Sequence, residues 1–72
     1  MSKKTIALRK IRKVRHQAYP QYTDWECSNH RIGNIITHVV RIDDATGQIV
    51  AIFSLLNGVH NLTDMVEVLF FD

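Results

Sequence analysis

Apolar positions change their period along this chain, and each change marks an expected element. Between residues 4 and 18, Ala7, Ile11, Val14 and Ala18 recur at spacings of four, three and four, which is one narrow helical stripe with basic residues filling the rest. That spacing predicts an N-terminal helix ending near Ala18, because Pro20 biases Tyr19 away from the helical region. Ile6 and Leu8 alternate as a strand would, so a short strand running into a helix is the competing expectation. From residue 21 to 28 the pattern alternates. Thr23, Trp25 and Cys27 fall on one side and Asp24, Glu26 and Ser28 on the other, as in a half-buried edge strand anchored by Trp25.

The polar run 28–34, which contains Gly33, reads as a connection into a stronger strand over residues 35–42. Asp44, Ala45, Thr46 and Gly47 then have the order of a type I turn followed by glycine in the left-handed region, a common hairpin loop. Closing Asp44 against Gln48 pairs Ile42 with Val50, Val40 with Ile52 and His38 with Ser54. One face then carries Ile36, Val40, Ile42, Val50, Ile52 and Leu56. The other, with Val39, Phe53 and Leu55, is partly apolar and open to a second copy in a homodimer or to the N-terminal helix.

After Asn57 and Gly58, the pair Asn61 and Asp64 resembles a helix cap. Leu62, Met65, Val66, Leu69 and Phe70 follow at the spacing of an amphipathic helix that would cover the hairpin, with Val68 and Phe71 widening its stripe into a partner-binding ridge beside Phe70. Val66, Val68 and Phe70 also alternate, so a strand over 65–71 competes. The expected fold class is α+β: an N-terminal basic helix, a three-stranded antiparallel sheet with a central hairpin, and a C-terminal amphipathic helix. We expect one domain over residues 1–72, a basic arm (1–19) on an acidic α+β body (20–72).

Charge sharpens that division. Lys3, Lys4, Arg9, Lys10, Arg12, Lys13 and Arg15 all precede Tyr19 with no acid among them, so residues 1–19 carry +7 and residues 20–72 carry −5 within a net charge of +2. Tyr19, Tyr22 and Trp25 follow directly, and aromatic rings beside cations are what single-strand nucleic-acid binding uses for base stacking. The expected function is therefore a small non-enzymatic regulator whose basic arm engages nucleic acid or the acidic surface of a nucleic-acid-processing protein. The second expectation is an inhibitor docking on a larger enzyme through the arm and the Val68, Phe70 and Phe71 ridge. Membrane binding is not expected, since Ala7 and Ala18 offer little area to insert.

Candidate chemistry is sparse. Cys27, His30, His38 and His60 are potential zinc ligands, but only the first two are close in sequence, so no metal or cofactor is expected. Cys27 with His30 or His38 is the sole nucleophile–base combination. A single cysteine and the lack of a long apolar segment make the cytoplasm the expected location.

The run from Val39 to Asp43, then Ile49 to Phe53, then Gly58, Val59 and His60, resembles the last strands of HigB and RelE-type ribosome-dependent mRNA interferases, where a hairpin precedes a Gly-x-His segment. The resemblance covers about a third of the chain. It implies Arg41 as a phosphate contact and His60 as an acid/base group, while no Lys or Arg follows Arg41.

Overall fold

A computed structural model describes residues 3–29, 31 and 33–71. Its regular elements are six strands: β1 (Lys4–Arg15), β2 (Tyr22–Asn29), β3 (Ile36–Asp43), β4 (Ile49–Ser54), β5 (His60–Asn61) and β6 (Val66–Phe71). They form a single sheet in the order β5-β4-β3-β2-β1-β6, antiparallel throughout except for the parallel β1–β6 pair. The α+β expectation is thus wrong: the protein is all-β among the described residues, and both expected helices are strands.

The reason for the first error is a bulge. Lys10 pairs with Cys27 and Arg12 with Glu26, leaving Ile11 as an extra residue in β1. An extra residue in a strand breaks the two-residue alternation and makes apolar spacing mimic the three-to-four period of a helix. The error at the C-terminus has a different cause. In β6 the inward side chains are Val66, Val68 and Phe70, the alternating set, whereas Met65 and Leu69 of the supposed helical stripe are exposed. Asn61 does cap the following backbone, accepting from the Thr63 N–H at 2.9 Å, but in a turn. Asx turns and helix caps share this chemistry, so the cap signal alone does not distinguish them.

Chain reach forces the sheet to curl. Five inter-strand gaps of a flat six-stranded sheet separate the outermost strands by about 24 Å. Asn61 of β5 and Val66 of β6 are joined by only four residues, a span of at most about 17 Å. The two edges must therefore approach, and the sheet rolls into an open barrel whose gap lies between β4 and β6. Thr63 helps to close it: its hydroxyl accepts the Ile52 N–H at 3.0 Å, and the Leu62 N–H donates to the Ile52 carbonyl at 2.8 Å. Extra residues at Ile11, Thr37 and Val50 supply bulges in β1, β3 and β4, and bulges increase local twist and bend.

The inner face holds the core. Leu8, Cys27 and Val40 are fully buried, with Ile6, Trp25, Ile42, Ile49, Val68 and Phe70 packed around them and Ile52 buried nearby. The hairpin register agrees with expectation at Val40–Ile52 and His38–Ser54. Nearer the loop it slips by one: Ile42 meets Ile49, so Val50 turns outward and Ile49 takes its place inside. Asp43 rather than Asp44 closes against Gln48, through a 2.9 Å bond from the Asp43 N–H to the Gln48 carbonyl. Gly47, at φ 73°, occupies the left-handed position expected of it. Leu56 is exposed, and Val39 and Phe53 of the outer face are half-buried. No described helix is long and apolar enough to cross a membrane.

Candidate nucleic-acid interface

The basic stretch is built into the sheet. Residues 4–9 of β1 pair with β2 on one side or β6 on the other, and at Leu8 and Arg9 with both; beyond Arg9 β6 stops, so residues 10–15 pair only with β2 and form an exposed edge. This arrangement sorts the cations into two groups.

Several are engaged within the molecule. Arg9 donates to the Gly33 carbonyl at 3.1 Å and to Asn34 Oδ1. Arg12 lies on the outer face and pairs with Glu26 at 2.9 Å. The Lys10 ammonium sits on the inner face, 4.9 Å from the Trp25 ring centroid and 4.6 Å from that of Phe70, capping the end of the core between β2 and β6. Lys10 covers Trp25, and Trp25 also packs against the core, so it is not a free stacking ring.

Others make no ion pair among the described residues: Lys3, Lys4, Lys13 and Arg15. Lys3 lies by the β4–β6 gap and Lys4 borders a cleft of about 350 Å³ with Asn29 and Arg31. Lys13 and Arg15 are more closely placed. Their partners across the ladder are Trp25 and Thr23, so both share the inner face with Lys10. The bulge at Ile11 produces that grouping. In an unbroken strand, side chains three apart would point to opposite faces; the extra residue puts Lys10 and Lys13 on the same one.

Past Arg15 the chain turns back through an aromatic tip. Pro20 sets the turn in which the Tyr22 N–H donates to the Tyr19 carbonyl at 3.0 Å, and the Tyr19 N–H donates to His16 Nδ1 at 3.0 Å. The His16 and Tyr19 rings lie 4.9 Å apart and those of Tyr19 and Tyr22 6.1 Å apart. Tyr19 is 50% exposed, so its ring, packed against His16 and Tyr22, is open to a ligand at the tip of the hairpin.

The remaining candidates separate. Val68 and Phe70 point into the core, which removes them from the expected C-terminal ridge; only Phe71 of the three is exposed. Arg41 is fixed on the outer face by Asp24, with Nε 3.0 Å from Oδ1, and its guanidinium lies 5.4 Å from the Phe53 ring. His60 pairs in register with Ser54, on the opposite side of the sheet from Arg41, and contacts the Asn57 carbonyl at 3.0 Å. The two residues implied by the interferase resemblance therefore do not converge.

Cys27 and His38 are cross-strand neighbours. Burial pushes the Cys27 thiol up to about 11, opposed by the nearby Lys10 charge, so at neutral pH it is a thiol and not a nucleophilic thiolate. Burial also lowers the His38 pKa, favouring the neutral ring, whose Nδ1 lies 2.7 Å from Thr37 Oγ1. His30 lies outside the described residues, and no cluster of three metal-ligating side chains occurs among those described.

The fold and the site define a small curled-sheet protein with a basic, aromatic-tipped hairpin. No family model, curated protein or solved structure matches the chain.

Proposed function

We propose that the protein binds nucleic acid through the β1–β2 hairpin, with Lys13 and Arg15 contacting phosphates, Lys10 adding to the local field, and Tyr19 offering a stacking surface at the tip. The observation that carries this reading is the pair of inner-face cations, Lys13 and Arg15, left without a carboxylate partner among the described residues, in the same hairpin whose tip exposes the Tyr19 ring. Elsewhere on β1 the molecule satisfies Arg9 and Arg12 with its own groups. The ordinary alternative is edge protection, since Lys and Arg on an exposed strand discourage edge-to-edge pairing. That role needs charge but no ring, and makes no demand for phosphate.

Fluorescence anisotropy with labelled single-stranded and duplex oligonucleotides distinguishes them. Two phosphate contacts give a log–log salt slope of about −1.4 on a single strand, and replacing both Lys13 and Arg15 by Ala should remove most of it. Binding that is absent at low salt, or unchanged in the double variant, overturns the proposal.

A further inference from the structure

The N-terminal end of β1 overhangs β2. β2 stops at Asn29, level with Leu8, whereas β1 extends back to Lys4 with β6 as its neighbour. Over residues 4–7 the β2 side of β1 is therefore paired to no described strand, and alternate residues turn backbone N–H and C=O groups into the notch. A cleft of about 350 Å³ occupies this notch, with Ile6 and Ala7 along β1, Asn29 at the end of β2, and Lys4 and Arg31 as its charged groups.

The polar wall is held in place from behind. The Asn29 N–H donates to Oγ1 of the fully buried Thr37 at 2.9 Å, and Asn29 Oδ1 accepts the Arg31 N–H at 2.9 Å. That leaves the Asn29 side-chain N–H groups as donors with no partner among the described residues. Beyond Arg31, Ser28 Oγ and the Arg9 guanidinium both donate to the Gly33 carbonyl, so the loop is tied on both sides. Ile6 packs against the core and gives the notch an apolar wall.

Charge selects the ligand. Lys4 and Arg31 make no ion pair among the described residues, and no Asp or Glu lines the cleft. Glu67, level with Thr5, stands on the outer face, whereas Lys4 shares the inner face with Ile6. We infer that the notch binds a phosphomonoester. Arg31 offers a planar fork to two phosphoryl oxygens, Lys4 a point charge, and Asn29 an amide donor. Two cations match the dianion of a phosphomonoester better than the single charge of a carboxylate. The backbone carbonyls of the same edge accept from hydroxyl groups on the organic part. A free mononucleotide and the terminal phosphate of a nucleic-acid strand both carry this chemistry. The notch lies at the opposite end of β1 from Arg15, and its binding does not rest on the hairpin.

Titration calorimetry of the full chain with adenosine monophosphate tests this. The nucleotide should bind, adenosine should not, and Lys4→Ala or Arg31→Ala should each weaken binding at least about tenfold with the melting curve unchanged. Should the strand variant unfold, Arg31→Ala, outside every strand, carries the test alone. A second arm uses a short oligothymidylate with and without a terminal phosphate on the Lys13→Ala, Arg15→Ala double variant, in which the hairpin contacts are gone. Tighter binding of the phosphorylated strand, lost on adding Arg31→Ala, assigns the terminal phosphate; equal binding of the two strands beside clear binding of adenosine monophosphate assigns the free ester. Failure of both the nucleotide at about 10 mM and the terminal phosphate to bind, or binding indifferent to Arg31→Ala, overturns the inference. Either failure leaves the hairpin reading standing, since that is read from the salt slope of the native protein.

Discussion

The two halves of β1 share a strand and a basic composition, yet they do different things. Residues 4–9 pair with β6, with β2 joining at Leu8 and Arg9, bury Leu8 completely and tie Arg9 to the 33–34 loop. Residues 10–15 have one neighbouring strand, a bulge, and two cations with no carboxylate partner among the described residues. What separates them is not residue type but which strand arrives, β6 along the first half and β2 alone along the second. A lysine or arginine becomes structural where a carbonyl, ring or carboxylate is brought to it, and remains available where the sheet ends.

The sharpest way to break the comparison is in the inner half. Leu8→Ala should cost about 2–5 kcal/mol, enough to lower the melting temperature by more than about 10 °C or unfold so small a domain, as read by thermal circular dichroism. Removing Lys13 and Arg15 together should leave that melting curve in place and weaken oligonucleotide binding at least about tenfold at low salt. A double variant that melts early would mean the outer half is structural after all. Asp24→Ala should cost about 1–2 kcal/mol, because it strands the half-buried Arg41 guanidinium on the outer face. Glu26→Ala removes only the exposed Arg12 pair, so denaturant midpoints should shift by less than about 1 kcal/mol.

Acid provides a finer test of the core beneath both halves. Burial lowers the His38 pKa, so the unfolded chain takes up the proton first; the stabilisation is complete above about pH 6.5 and is lost as pH falls from there toward the folded value. Urea unfolding at pH 7 and pH 5.5 should show this loss, and His38→Asn should reduce it. Cys27 behaves in the opposite sense. With its folded pKa at about 11, its contribution is complete below the unfolded thiol value and lost as pH rises through that value toward 11. Ellman's reagent should react with it slowly at pH 8 until denaturant is added.

Much of the central sheet was legible in the residues alone. Alternation in β2 placed Trp25 and Cys27 inward, and the Asp-Ala-Thr-Gly loop with its β-rich flanks located the hairpin and two of its three inner pairs. These signals are local: a turn needs glycine at a positive φ, and a half-buried strand needs every second side chain to be apolar. The charge asymmetry and the aromatics that follow it were equally plain, and they pointed to the segment that now forms the candidate interface.

What the sequence could not determine were the outcomes that depend on distant neighbours. A single extra residue at Ile11 imitates helical spacing until β2 shows which residue has no partner, and the alternation of Val66, Val68 and Phe70 outranks the helical stripe only once β1 is there to pair with. Which cations are spent and which are free follows from the same long-range pairings, since Glu26, the Gly33 carbonyl and Phe70 reach Arg12, Arg9 and Lys10 only when the sheet closes. Composition set how much positive charge the chain carries. The tertiary fold decided where it remains uncompensated, because compensation requires a partner group within a few ångströms and only folding brings one there.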